Sequence, residues 1–151
     1  MREEDIVPII FEDGQDVDLI LNSTAPQSVY SLILDHGLAT KRFLYLDYKG
    51  EHDQEIVNYI MDYELSHQIT LATMEELEEL GSIEYEYLPV KITETNKFLS
   101  PKGYGLFSYP TEGDFYALFI TKLENKDKLL QVELLVDDWI PERERYIQYY
   151  S

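Results

Sequence analysis

The stretch Tyr104-Gly105-Leu106-Phe107-Ser108-Tyr109-Pro110-Thr111-Glu112-Gly113-Asp114-Phe115-Tyr116-Ala117-Leu118-Phe119-Ile120-Thr121-Lys122-Leu123 decides the fold. Its two flanks are rich in aromatic and aliphatic residues. Between them lies Pro-Thr-Glu-Gly, whose Pro and Gly suit a reversal of the chain. The whole reads as a β-hairpin.

Toward the N-terminus of the hairpin, Val90 to Leu99 fits either element. Val90, Ile92 and the threonines suit a strand; Leu88, Ile92, Thr95 and Leu99 suit one helical face, with Pro101 as the stop. Ile83, Tyr85 and Tyr87 alternate with Ser82, Glu84 and Glu86, as in a half-buried strand with its acids outward. Thr73-Met74-Glu75-Glu76 is a capping box for a short helix through Leu77 and Leu80, closed by Gly81. Ile56, Val57, Ile60 and Tyr63 form a helical stripe that Asp53 can cap. Arg42 to Tyr48 reads as a strand. Thr24-Ala25-Pro26-Gln27 signals a helix over about residues 25–36, with Gly37 as its stop. Val17 to Leu21 has the length of a strand, but periodicity does not settle it. Ile6 to Phe11, interrupted by Pro8, is an edge strand or a first helical turn. Beyond the hairpin, Leu129 to Val136 is a strand or a helix. No repeat or flexible linker divides the chain. The expected architecture is one α+β domain over residues 1–151, a largely antiparallel sheet with two to four helices.

Charge narrows the function classes. The 151 residues carry 30 Asp and Glu against 12 Lys and Arg, for a net charge of −18. At 44% apolar residues the chain can bury a core, unlike a disordered acidic tail. The lack of Cys removes disulfide scaffolds, Cys-ligated zinc and thiol catalysis. No apolar run reaches membrane-spanning length and no basic-apolar leader opens the chain, so a cytoplasmic protein is expected. The excess negative charge disfavours direct contact with nucleic acid or anionic membranes.

The acids are not evenly spread. No Lys or Arg occurs from Glu3 to Thr40 or from Gly50 to Val90. Some acids in these stretches suit helix starts, where the macrodipole favours them. Glu75, Glu78 and Glu79 instead point away from Leu77 and Leu80. On a strand, Glu84 and Glu86 stand about 6.5–7 Å apart, close to the phosphate spacing of one DNA strand. Tyrosines lie among these acids, and Tyr buries area at interfaces at small entropic cost. The expected partner-binding set is Glu75, Glu78, Glu79, Glu84 and Glu86, with Tyr63 as an anchor. Solvation of an outer face is the plainer alternative.

Catalytic motifs are absent: there is no phosphate loop, nucleophile elbow or zinc-protease helix. His36 falls near a helix end, where it has a structural account. Glu51-His52-Asp53 is a trio of metal-compatible side chains, on consecutive residues that need not converge. Glu64 and His67 have the Glu-x-x-His spacing but lack a second pair. Glu12 to Asp18 misses the positions of a calcium loop. Asp137-Asp138 is a lone acidic pair. No catalytic residue, metal site or cofactor is expected.

In composition the chain resembles the small acidic immunity proteins that neutralise bacterial toxins, and phage inhibitors of nucleic-acid-handling defence enzymes. Gly103 to Phe107 with Asp114 to Phe119 also looks like the C-terminal hairpin of some uncharacterised bacterial families. The resemblance implies a non-enzymatic inhibitor that covers the basic groove of a nuclease or another nucleic-acid-binding protein. The alternatives are an interaction or housekeeping module whose acidity serves solubility, and a small metal-dependent enzyme using His52.

Overall fold

The computed structural model describes residues 2–47, 54–83, 87–113 and 115–151. The fold is α+β, built on a four-stranded antiparallel sheet. Its strands are β1 (Leu44–Asp47), β2 (Tyr104–Tyr109), β3 (Phe115–Lys122) and β4 (Gln148–Tyr149), in the order β1-β3-β2-β4. The hairpin forms the centre, with Phe107 opposite Phe119 and Leu106 opposite Ile120.

Both faces of the hairpin are covered, which is why its strands read as nearly continuous apolar runs rather than strict alternations. Phe107, Tyr109, Ala117 and Phe119 face one core. That core is closed by α1 (Val7–Ile10), α2 (Gly14–Leu21), α3 (Val29–Ala39) and the segment after α7 (Lys126–Leu129). Leu106, Leu118 and Ile120 face the other, under α4 (Glu55–His67), α5 (Met74–Ser82) and α6 (Leu88–Leu99). The described residues thus hold seven α-helices, more than the two to four expected.

Several local expectations change, each for a physical reason. Val17 to Leu21 is helical, because the Asp13 side chain accepts from the Gln15 N–H at 2.8 Å and starts α2. Ile6 to Phe11 takes the helical alternative, with Pro8 in the first turn. α3 starts later than expected, capped by Ser28, whose Oγ accepts from the Ser31 N–H at 3.2 Å. A cap at Thr24 would put Ala25, the residue before Pro26, in the helical region that proline disfavours. Gly37 lies inside α3 rather than ending it. Residues 88–99 are helical. Beyond Leu129, residues 130–136 belong to neither helix nor strand. Both the Leu134 and Leu135 N–H groups donate to the Arg145 carbonyl, at 2.8 and 3.2 Å, while Val132, Leu134 and Leu135 are buried. α5 runs through Gly81 to Ser82, so Gly81 does not end it and Ser82 is helical rather than in the expected strand. Tyr87, expected on that strand's buried side, is exposed and precedes α6. Residues 84–86 of the expected strand and the cap expected at Asp53 fall outside the described residues.

Candidate functional site

α4 and α5 form an antiparallel pair on one outer layer. At one end the Glu64 carboxylate accepts from the Leu71 and Ala72 N–H groups, at 2.6 and 3.2 Å, and so sets the entry into α5. The expected capping box starts that helix. Thr73 Oγ1 accepts from the Glu76 N–H at 3.1 Å, and Glu76 Oε1 accepts from the Thr73 N–H at 2.9 Å. Leu77 and Leu80 then point into the core, which leaves Glu75, Glu78 and Glu79 exposed. None of these three carboxylates takes part in an ion pair among the described residues. From residue 54 to 83 the layer carries no Lys or Arg.

Two further side chains on this layer were not singled out from the sequence. Met61 and Leu65, at i and i+4 on α4, lie off the buried stripe, and Leu65 is 82% exposed. Met74, at the start of α5, is also exposed. Their signal was an apolar pair at helical spacing on the wrong face. Glu84 and Glu86, from the expected binding set, lie outside the described residues.

Tyr63 faces inward. It is 6% exposed and belongs to the core stripe of α4, so it presents no surface anchor. Its ring stacks on His67 with centroids 3.8 Å apart, and its hydroxyl donates to Glu12 Oε1 at 3.1 Å. The other Glu12 oxygen meets His67 Nε2. These groups border a cleft of about 320 Å³ between the α1–α2 turn and α4, with Asp16, Asp62 and Arg42 on its walls. Burial pushes the Tyr63 hydroxyl well above its ordinary pKa, reinforced by the Glu12 carboxylate and opposed by Arg42.

Arg42 spends its guanidinium inside the fold. Nε donates to the Ile10 carbonyl at 2.7 Å, and one terminal nitrogen donates to the Ile120 carbonyl at 2.6 Å. The other donates to the Tyr59 hydroxyl at 3.1 Å. Carboxylate, imidazole, phenol and guanidinium therefore meet here, but each is already paired with another part of the chain. The arrangement clamps the N-terminal helices to α4 and the sheet.

The remaining chemistry-bearing residues disperse. His36 Nε2 meets Asp16 Oδ1 at 2.7 Å and ties α3 to α2. Glu64 and His67 diverge, one serving the loop before α5 and the other meeting Glu12. Asp13 is a helix cap. Asp137 and Asp138 lie in an exposed turn. Glu51, His52 and Asp53 are outside the described residues. Among the described residues no three His, Asp or Glu side chains converge as metal ligands, and no helix is long and apolar enough to cross a membrane.

In comparison with known families, the model of a domain of unknown function (DUF6630) matches residues 9–136. The match takes in the hairpin and both helical layers and ends before the segment that carries Trp139. No curated protein matches the chain, and no solved structure does.

Proposed function

We propose a role for this chain, which belongs to the DUF6630 family, as a non-enzymatic acidic inhibitor of the immunity type. It docks on the basic surface of a nuclease or another nucleic-acid-handling protein. The observation that carries this reading is the outer face of α5, where Glu75, Glu78 and Glu79 stand exposed without ion-pair partners among the described residues. Glu78 and Glu79 stand at i+3 and i+4 from Glu75, positions whose Cβ atoms lie about 5–6 Å from its own, so the like charges repel. A row of cations relieves that repulsion, and the field steers such a partner at low salt. The exposed apolar groups Met61, Leu65 and Met74 on the same pair of helices supply area to exclude water.

The solubility reading is favoured by a different observation: many acids already have work inside the fold. Asp13 and Glu76 cap helices, Glu64 holds a loop, and Glu12 and Asp16 meet histidines. On that reading the α5 acids meet nothing.

Affinity capture at low and high salt, with the natural chain and a Glu75→Lys/Glu79→Lys variant, separates the two. The expected result is a basic protein, retained at low salt and released at high salt, that the variant fails to hold. Adding the chain then reduces that protein's binding to nucleic acid. Retention of no basic protein, or equal retention by the variant, overturns the inhibitor reading.

A further inference from the structure

At the turn end of the hairpin, a cavity of about 320 Å³ opens between the β2–β3 connection and the C-terminal segment. Its walls include Phe115, Tyr116, Trp139 and Tyr150, and its lining also carries Glu112 and Glu144. Trp139 is 70% exposed and stacks on no other ring among the described residues. Trp is enriched at interfaces because it offers a large apolar face together with one N–H donor.

The frame is built. Tyr30 donates its hydroxyl to the Pro110 carbonyl at 2.8 Å, and Tyr109 donates to the Tyr30 carbonyl at 3.0 Å. Arg145 Nε donates to the Ile140 carbonyl at 3.0 Å and holds the loop that carries Trp139. Two neutral polar side chains of the wall, Gln148 and Thr111, are engaged internally. Gln148 receives the Tyr150 hydroxyl at 2.7 Å and donates to the Arg143 carbonyl at 2.8 Å. The Thr111 hydroxyl donates to the Phe115 carbonyl at 2.6 Å. Glu112 and Glu144 form no ion pair among the described residues.

Electron-rich ring faces beside carboxylates that form no ion pair among the described residues suit a planar cation. We propose that this cavity receives the guanidinium of an arginine side chain from a protein partner, stacked on Trp139 and paired with Glu144 or Glu112. A guanidinium is planar and weakly hydrated, so it stacks on rings and forks onto carboxylates where an ammonium does neither as well. A sugar also stacks on an exposed indole, and the glucose arm of the experiment below separates the two; the guanidinium is favoured because its charge complements both carboxylates. Two bases compete with an incoming cation: Arg143, whose charge acts on both Tyr116 and Tyr150, and Arg145, whose guanidinium is held on the Ile140 carbonyl next to Trp139. The inference shares a cationic partner with the reading above but uses no residue of α5, so the two fail separately.

Trp139 is the single tryptophan of the chain, so its emission reports on this cavity. The probe is Nα-acetyl-arginine N-methylamide, titrated into the full chain at near-physiological salt. The expected result is a saturable change in emission in the millimolar range. The matching lysine amide binds more weakly. Glu144→Gln or Glu112→Gln weakens arginine binding by about fivefold or more, Arg143→Gln strengthens it, and Glu75→Lys/Glu79→Lys leaves it unchanged. All the substituted side chains are exposed, and circular dichroism checks that each variant folds. The proposal is overturned by no saturable change, by equal binding in both carboxamide variants, or by glucose producing the stronger saturable response.

Discussion

Arg42 and Tyr59 hold each other through a reciprocal pair of hydrogen bonds. The guanidinium donates to the Tyr59 hydroxyl at 3.1 Å, and that hydroxyl donates to the Arg42 main-chain carbonyl. Burial pushes the Tyr59 hydroxyl up, and the Arg42 charge draws it partly back. Tyr59→Phe keeps the ring and removes both bonds, leaving a guanidinium N–H and a carbonyl without partners. Such a loss costs about 1–3 kcal/mol. Arg42→Met costs more, because the carbonyls of Ile10 and Ile120 also lose their donor. Urea unfolding of the two variants should rank them in that order; equal stabilities would show that water replaces the guanidinium without loss.

Asn96 completes the sheet where β4 stops. Its Oδ1 accepts from the Leu106 N–H at 2.7 Å, and its Nδ2 donates to the carbonyls of Leu106 and Tyr150 at 3.2 and 2.7 Å. It is buried in α6 and acts as a short extra strand beside β2. Asn96→Ala leaves three main-chain groups unpaired and should lower stability by about 2–4 kcal/mol. Asn96→Asp keeps the acceptor but loses the donor, and places a charge where burial penalises it. Thermal unfolding checks both; a midpoint unchanged in Asn96→Ala would remove this role.

Gly37 is a helix-interior glycine with a packing reason. A Cβ there would approach the Phe43 ring to 2.4 Å, and Phe43 is buried against Tyr109 and Phe119. Gly→Ala in a helix normally stabilises by about 1 kcal/mol. Here the ring cannot retreat, and overpacking costs about 1–3 kcal/mol. Gly37→Ala should therefore be net destabilising, and Phe43→Leu in the same chain should recover part of the loss. A double-mutant cycle reads the coupling; additive effects would disprove the contact.

Two stacked tyrosines set an alkaline limit. Tyr30 is pushed up to about 12, chiefly by burial and then by Glu112, and burial holds Tyr109 well above its ordinary value. An unfolded tyrosine ionises near 10. Above that pH the unfolded chain has released protons that the folded chain retains, so stability falls as pH rises. The contribution is complete below about pH 10 and is lost as pH climbs through about 12. Denaturant midpoints measured across this window should decline, and Tyr30→Phe should flatten the decline. A slope unaffected by the substitution would assign it to other groups.

Much of the fold was legible because its signals are local. The hairpin, the Thr73 capping box and the stripe of Ile56, Val57, Ile60 and Tyr63 each follow from a turn, a cap or a periodicity contained within a few residues. The α5 acids were placed outward by the same reasoning, since Leu77 and Leu80 fix which side of that helix faces in. The cleft of Glu12, Arg42, Tyr59 and His67 was not legible. Its members come from the α1–α2 turn, the entry to β1, and α4, and no spacing along the chain links them. Tyr63 shows the limit within a single residue. Its spacing put it on the core stripe and its type suggested an interface; burial against Tyr104 and the bond to Glu12 turn it inward.

By itself, the sequence determined an acidic α+β chain with a central hairpin and a base-free layer, because composition, turn chemistry and periodicity are properties of the chain alone. Tertiary packing decided the rest. It left residues 130–136 without regular structure, buried Gly37 under Phe43 and gathered the aromatic cavity around Trp139. Short apolar runs are compatible with either period, and what covers them settles the choice. Covering both faces of an antiparallel hairpin needs two helical layers, and only the folded chain shows which segments supply them.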